Sequence, residues 1–257
     1  MNTFYKQENT KENNMGYFIH HRRGQCKSYY SNLKSNTYNN QKCIVLSAKN
    51  KGELKKGDIT FNDKTWLENS CDLQGINHIS LTMDTIAEET AYVSKVKYFY
   101  NYLLDCDYEY VMVSDSTDCV ILKNPDEAIS LLDKYKCDIL YGVGACNDWE
   151  SFTMSERDTF NKSLYGNTKI NTGVCIARVS VLIKLYKRII EYMDESVSAS
   201  AYYHKYRAKN GYIDWSTEKL NEFPHGVSCD QVIIKYLIKE FHPHLKLDVN
   251  GLLTNKR

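Results

Sequence analysis

The fold is decided by the stretch VMVSDSTDCVIL, residues 111–122. Both of its ends, Val111–Val113 and Cys119–Leu122, are short apolar runs of the kind that form buried strands. Two acids, Asp115 and Asp118, stand between them, and open α/β sheets bind ligands at the C-terminal ends of their central strands. The pattern predicts either a divalent-cation site that holds phosphate oxygens or a turn, since Asp, Ser and Thr are also common in turns. The spacing alone leaves both interpretations open.

Composition narrows the class of protein. The 257 residues are enough for one large α/β domain or two small ones, and 42% hydrophobic and 25% charged residues are ordinary values for a globular protein. A net charge of +1 does not indicate a nucleic-acid partner. Nine cysteines without a regular spacing are expected to be reduced, mostly buried thiols. No signal peptide or membrane-spanning segment is visible, so we expect a soluble, cytoplasmic protein.

The N-terminal part differs in composition from the rest. Residues 1–40 are polar and are expected to form a partly disordered arm, with an edge strand near Tyr17–Ile19. A metal site using both His20 and His21 is not favoured, because adjacent side chains point to different sides of most backbones. Residues 41–257 are expected to form one domain.

The order of predicted elements indicates an α/β fold, Rossmann-like, with a mixed β-sheet flanked by helices. Strands are predicted at residues 43–48, 111–113, 119–122, 138–142 and 245–248, and residues 169–177 are predicted as a polar loop passing into a strand. Helices are predicted at residues 85–104, from Asn124 onward, at 181–195 and from 229 onward. The segment at about 196–228 contains several aromatic residues and is either an acceptor-binding insertion or an ordinary packed loop. GxGxxG and GxxxxGK[ST] are absent, which disfavours a dehydrogenase and a P-loop NTPase.

Several stretches resemble one family. VSDSTDCV at residues 113–120, INTGVCIA at 170–177 and Asp230-Gln231 occur in the order seen in metal-dependent GT-A glycosyltransferases, and specifically in the glycosyltransferase domain of the procollagen lysyl hydroxylases. SKVKY at residues 94–98 is also similar to the helix before the acid strand of that domain. The resemblance covers about residues 42–251. Relatives of this domain occur in giant DNA viruses, so a viral source would place the protein in host cytoplasm or the virion.

The resemblance implies a role for each matched residue. Asp115 and Asp118 match the pair that holds Mn²⁺, with Mg²⁺ as the alternative, on the diphosphate of a UDP-sugar. The positions expected to contact the donor are Leu46, Ala48, Lys95, Thr117 and Asn171. Asp230 matches an acid beside the transferred sugar and the acceptor, and Trp149 lies near an acceptor-loop tryptophan. The implied acceptor is a glycan or a collagen-like protein, through hydroxylysine or galactosyl-hydroxylysine.

Three departures from the family pattern bear on the site. Thr117 stands where the family usually has a tyrosine that contacts the nucleotide, and Cys229 replaces the first acid of an Asp-Asp-Gln motif. The family takes a third metal ligand from a later His-Gly segment, which this sequence does not reach. His225-Gly226 precedes the Asp230 helix and is not expected to substitute, and His242 and His244 are expected to be loop residues. We therefore expect two acids and water to hold the metal more weakly.

Three functions remain open from the sequence. The leading one is metal-dependent transfer of a hexose from a UDP-sugar to a hydroxyl group. The second is an inactive nucleotide-sugar-binding relative. The third is a nucleotidyltransferase, which is disfavoured because no Gly-rich loop with Arg or Lys follows the first strand.

Overall fold

A computed structural model describes residues 17–21, 25–50, 64–84, 91–144, 163–165, 169–195 and 230–254. The predicted insertion at about 196–228, the His225-Gly226 pair and the start of the predicted helix at residues 85–90 lie outside the described residues. The cysteines within the described ranges carry free thiols, and most of them are buried, as expected. No described helix has both the length and the apolar character needed to cross a membrane.

Strands and helices are interspersed along the described residues. The strands are β1 (Ile19–His21), β2 (Cys43–Asn50), β3 (His78–Met83), β4 (Tyr110–Ser114), β5 (Cys119–Ile121), β6 (Ile139–Gly144), β7 (Lys169–Arg178) and β8 (Leu245–Leu247). The helices are α1 (Cys26–Tyr30), α2 (Trp66–Gln74), α3 (Ala91–Leu104), α4 (Pro125–Tyr135), α5 (Val179–Glu195) and α6 (Asp230–Phe241).

Six of the strands form one sheet, in the order β3-β2-β4-β7-β6-β8. Only β7 runs antiparallel to its neighbours β4 and β6, while the other pairs are parallel. The predicted α/β fold with a mixed sheet flanked by helices is confirmed. As a consequence, the C-terminal ends of β2, β3, β4 and β6 share one edge of the sheet with the start of β7.

The sheet is buried on both faces, which explains why β4 reads as a continuous apolar run. Val111 and Val113 point into one core with helices α3, α5 and α6. Tyr110 and Met112 point into a second core that includes residues of β1, β5, α2 and α4. Alternate side chains of a strand face opposite sides, so a single apolar strand serves both cores.

Strand β1 lies two residues later than the edge strand expected in the N-terminal arm. The strand is Ile19–His21 rather than Tyr17–Ile19, and it pairs with β5 in a separate two-stranded sheet. Phe18 and Ile19 are buried in the second core. This part of the predicted arm is integral to the fold, because an apolar pair in a polar stretch is buried once β5 supplies a pairing partner.

Helix α4 begins where the sequence predicts. Asn124 is the N-cap, and its side-chain oxygen accepts a hydrogen bond of 3.0 Å from the backbone N–H of Asp126. Pro125 follows at the first helical position, where its missing N–H has no helical partner to lose. The local sequence therefore fixes the start of this helix.

Helix α2 and strand β3 were not predicted from the sequence. Thr65 and Glu68 form a capping box at the start of α2, a signal that the sequence does contain. The buried face of α2, however, includes polar residues such as Ser70 and Gln74, and β3 is only partly buried. The sequence of β3, HISLTM, alternates polar and apolar residues and so contains a strand signal that the prediction did not use. The polar residues on the buried face of α2 obscure its helical period.

The cap of α4 can be tested by substitution. We expect Asn124→Ala to lower the free energy of unfolding by about 1 kcal/mol, because the Asp126 N–H loses its acceptor. Asn124→Ser keeps a capping oxygen and should stay within a few tenths of wild type. Urea denaturation monitored by circular dichroism measures both. Equal stability of the Ala and Ser variants would contradict the assigned cap.

Candidate active site at the C-terminal edge of the sheet

The two acids of the deciding stretch lie directly after β4, at the edge where the parallel strands end. The backbone N–H of Asp115 donates a 2.7 Å hydrogen bond to the carbonyl of Gly173 on β7, which continues the β4–β7 ladder. Asp118 comes just before β5. The chain thus leaves the main sheet at Asp115 and enters the small sheet after Asp118, with both carboxylates in the intervening loop.

A histidine that sequence reasoning did not assign to the site lies against both acids. His21 Nε2 is 3.2 Å from Asp115 Oδ2 and 3.3 Å from Asp118 Oδ1. The side chain of His21 is 0% exposed, whereas those of Asp115 and Asp118 are 34% and 24% exposed. The three groups therefore form a cluster with a buried imidazole behind two partly accessible carboxylates.

The pairing of β1 with β5 brings His21 to this position. In the antiparallel register His21 faces Cys119, the residue immediately after Asp118. His20 stacks on the ring of Tyr29 with a centroid distance of 3.6 Å, so the two histidines do have different surroundings, as expected. A metal role for the two histidines was not favoured on this ground, but the His21 side chain faces the acids and is among the groups that could hold a metal ion.

An irregularity in the pairing of β6 with β7 lies next to the two acids and His21. Tyr141 pairs with Cys175, but the next residue, Gly142, pairs with Asn171, so β7 has extra residues at this point. Such bulges bend a strand and often occur beside functional sites. Here the bulge contains Gly173, and a Cβ on Gly173 would overlap the Asp115 carboxylate and the His21 ring. Only glycine leaves room for these side chains.

Asn171 connects the bulge to the histidine. Its Oδ1 accepts a 3.0 Å hydrogen bond from the backbone N–H of Gly173, and its Nδ2 lies 3.1 Å from His21 Nδ1. The side chain is buried. Asn171 therefore lies at the predicted site, in contact with the residue that faces both acids.

Lys95 bridges the acid pair and the start of α6. Its Nζ is 3.5 Å from Asp115 Oδ1 and 3.3 Å from Asp230 Oδ2. Asp230 is buried, and its other oxygen accepts a 2.9 Å hydrogen bond from the backbone N–H of Gln231. The structure thus brings together Asp115, Asp118, Lys95, Asn171 and Asp230, which the sequence singled out separately.

The pKa values of the two basic groups reflect these contacts. Burial by itself lowers the pKa of Lys95, but the carboxylates of Asp230 and Asp115 outweigh burial and raise it. Burial likewise lowers the pKa of His21, while the Cys119 sulfur and the hydrogen bonds to Asp115 and Asp118 raise it well above its usual value. Because burial also raises the pKa of the Cys119 thiol, we attribute the imidazolium mainly to the two carboxylates.

The structure does not test the remaining predicted contacts with the sugar donor and the acceptor substrate. The Leu46 side chain is fully buried in the first core, and Leu46 pairs with Val113 near the end of β4. Ala48 lies further along β2 and is partly buried against the same core. Thr117 is partly exposed between the two acids. Trp149 lies outside the described residues, and these four assignments stay predictions.

Other histidines considered from the sequence lie elsewhere or are not described. His244 Nδ1 is 2.6 Å from Asp138 Oδ2, just before the N-terminal ends of β8 and β6. That edge is opposite to the one that carries Asp115, because β6 runs parallel to β4. His244 is therefore not part of the acid site.

The donor atoms at the site suit a divalent cation. Ligand atoms of His21, Asp118 and Cys119 all lie within 4.8 Å of one another, and the Asp115 carboxylate meets the same imidazole nitrogen. Carboxylate oxygens and an imidazole nitrogen are common ligands of divalent transition metals. The absence of a side chain at Gly173 lets the Asp115 carboxylate and the His21 ring lie this close together.

Comparisons with known proteins give only loose structural likenesses. No protein-family model matches the chain, and no curated protein matches it. One similar solved structure is a glycosyltransferase involved in the glycosylation of the major capsid of PBCV-1, at 14% identity and a TM-score of 0.42, covering 80% of each chain. Two others are mutant UDP-glucose pyrophosphorylases from Leishmania major, in complex with UDP-glucose. They have identities of 14% and 12% and TM-scores of 0.27 and 0.28, covering 62% and 65% of this chain and 55% of those chains.

The close approach at Gly173 leads to a prediction. We expect Gly173→Ala to weaken Mn²⁺ binding at least about tenfold, because the added methyl group displaces the Asp115 carboxylate and the His21 ring. Gly142→Ala is the matched control, since its Cβ would meet the Thr254 side chain instead, at 2.6 Å. Isothermal titration with Mn²⁺ measures affinity, and thermal melting measures stability. Wild-type Mn²⁺ affinity in Gly173→Ala would show that this crowding is not at the cation site.

Proposed function

We propose that this chain is a metal-dependent GT-A glycosyltransferase that transfers a hexose from a UDP-sugar to an acceptor hydroxyl. The observation that carries the proposal is the convergence of Asp115 and Asp118 on one imidazole at the C-terminal edge of the sheet, with Lys95 and Asp230 alongside. Sheets of this class bind ligands at that edge.

The balance of charge supports a divalent cation. Within the described residues, the contacts around Lys95 and His21 include three carboxylates, those of Asp115, Asp118 and Asp230. Lys95 offsets one of these negative charges. A divalent cation that displaces the proton of His21 would balance the remaining two negative charges. This makes it less costly to keep the carboxylates close together in a partly buried place.

The chemistry of glycosyl transfer makes use of such a site. The bond between the hexose C1 and the diphosphate oxygen breaks, and its electron pair leaves with UDP. A new bond forms between C1 and the acceptor oxygen, whose proton must pass to a base. Bound Mn²⁺ or Mg²⁺ would supply positive charge to the diphosphate oxygens as they become more negative. Lys95, within reach of the same acids, would add a second positive charge there.

Asp230 is the proposed acceptor-side carboxylate. It lies at the start of α6, and Lys95 holds one of its oxygens while the Gln231 N–H holds the other. A carboxylate fixed in this way is able to orient an acceptor hydroxyl and to take its proton. In this proposal Asp115 and Asp118 serve the donor, and Asp230 serves the acceptor.

The donor and acceptor contacts extend the same proposal. Asn171 and Thr117 would lie near the nucleotide-sugar, with Leu46 and Ala48 contributing through the end of β2. Since the Leu46 side chain is buried, its contact would be through the backbone. Trp149 would contact the acceptor, for which we propose a glycan or a collagen-like protein with hydroxylysine or galactosyl-hydroxylysine.

The metal role of the acids leads to a direct test. We expect Asp115→Ala and Asp118→Ala to reduce Mn²⁺-dependent UDP release from UDP-glucose or UDP-galactose by at least about a hundredfold, because each removes a charged metal ligand. Asp133→Asn, an exposed acid near the end of α4, should behave as wild type. Mn²⁺ together with the UDP-sugar should also raise the melting temperature of wild type but not of the two Ala variants.

The same assay separates the alternative functions. Pyrophosphate release from UTP and a sugar 1-phosphate, without UDP release, would identify a nucleotidyltransferase instead. A ligand-induced rise in melting temperature without any turnover on collagen-like peptides or glycans would identify an inactive binding relative. UDP release that is unaffected by Asp115→Ala and Asp118→Ala would contradict the metal assignment.

The acceptor role of Asp230 leads to a separate prediction. Asp230→Asn keeps the size of the side chain and removes its charge, so kcat for transfer should fall by about two orders of magnitude or more while Mn²⁺ affinity changes little. The measurement pairs steady-state kinetics with Mn²⁺ titration. Loss of Mn²⁺ affinity with unchanged kcat would place Asp230 with the metal ligands instead.

A further inference from the structure

We propose that His21 is a third protein ligand of the cation, supplied by β1, and that the bound cation fastens β1 to the loop of the two acids. This inference rests on the proposed metal role of Asp115 and Asp118. It assigns a function to the N-terminal strand, which the sequence placed in a polar arm.

The distances match a coordination shell. For metal–ligand bonds of about 2.1 Å, neighbouring donor atoms of an octahedral shell lie about 3 Å apart. His21 Nε2 lies 3.2 Å from Asp115 Oδ2 and 3.3 Å from Asp118 Oδ1. The imidazole nitrogen therefore already lies at a ligand-to-ligand distance from one oxygen of each acid. The partly exposed carboxylates leave the other side accessible to a diphosphate and water.

The backbone holds the imidazole in place before any ligand binds. The N–H groups of Phe18 and Ile19 both donate to the carbonyl of Leu253, at 3.2 Å and 3.0 Å, and the Leu122 N–H donates to the carbonyl of Phe18 at 2.9 Å. Ile19 and His21 are fully buried. Because packing has already restricted these rotamers, little conformational entropy remains to be lost when His21 binds a cation.

The second ring nitrogen also has a suitable neighbour. A histidine that binds metal through Nε2 carries its proton on Nδ1, and that N–H usually donates to an acceptor. The Asn171 amide lies 3.1 Å from Nδ1. An amide presents either an oxygen or an NH₂ group after a half-turn of its terminal torsion, so Asn171 is able to accept from Nδ1–H. That turn gives up the hydrogen bond from Gly173 N–H, which is a specific cost of the bound state.

A purely structural role for His21 makes different predictions. An imidazolium that only pairs with Asp115 and Asp118 would hold the carboxylates together without touching the cation. In that case a bound Mn²⁺ would have no directly coordinated nitrogen, and cation binding would not tighten β1. Both differences are measurable without a sugar donor or any turnover.

The decisive experiment is pulsed electron paramagnetic resonance of Mn²⁺ bound to the full chain. We expect ¹⁴N modulation from a coordinated imidazole in wild type and in His20→Ala, and its loss in His21→Ala and His21→Gln. Titration should show Mn²⁺ affinity reduced about tenfold or more in the two His21 variants and unchanged in His20→Ala. His20 is the matched control, because it adjoins His21 but stacks on Tyr29.

A further variant, His225→Ala, controls for the histidine that precedes the Asp230 helix. Loss of the nitrogen signal in His225→Ala, with retention in the His21 variants, would overturn the inference. If the His21 variants do not fold, absence of ¹⁴N modulation in Mn²⁺-loaded wild type would overturn it instead. If wild type binds Mn²⁺ through Asp115 but gives no ¹⁴N modulation, the inference about His21 is overturned and the proposed function stands. No Mn²⁺ binding at all would remove both.

Hydrogen exchange gives a second readout of the fastening of β1. We expect amides of residues 19–21 and 119–121 to exchange several-fold more slowly with Mn²⁺ in wild type, but at the same rate with and without Mn²⁺ in His21→Gln. Protection by Mn²⁺ that persists in His21→Gln would contradict the coupling between the cation and β1.

Discussion

Carboxylates placed at the end of a strand that is buried on both faces must have positive charge beside them. Asp115 and Asp118 follow β4, whose residues are buried in two cores. Both carboxylates are partly shielded from water, so an unpaired charge there would be unfavourable. Lys95 from α3 and His21 from β1 supply this positive charge from opposite faces of the sheet. Lys95 also pairs with Asp230. The site is therefore a consequence of where β4 ends.

The backbone of β7 makes room for the acids and for the positive charge beside them. The bulge in β7 brings Gly173 against Asp115 and turns Asn171 toward His21. A regular β7 would continue its ladder with β6, and a side chain at residue 173 would fill the space that the acid and the imidazole occupy. Glycine in a strand is costly, since it loses more entropy than other residues. Its presence here is explained by the crowding at the site.

Much of the fold could be predicted because its signals are local. Strand β4 is mostly apolar, β2 begins with an apolar run and β7 contains one at residues 174–177. Asn124-Pro125 starts α4 through its own side chains. Helix α2 was missed because its buried face is partly polar. Ser70 Oγ accepts from the Ile121 N–H, and Gln74 Nε2 donates to the Ile121 carbonyl. These polar groups are satisfied by a distant strand, and no periodicity within the helix reveals that.

The sequence by itself determined the acid pair, the strand that carries it and the order of elements that places Lys95, Asn171 and Asp230 at one edge. These depend on burial patterns and short-range hydrogen bonds, which are written in neighbouring residues. Only the tertiary structure decided that His21 faces both acids. That contact depends on the pairing of β1 with β5, and pairing between distant strands is fixed by the shared core rather than by either segment alone.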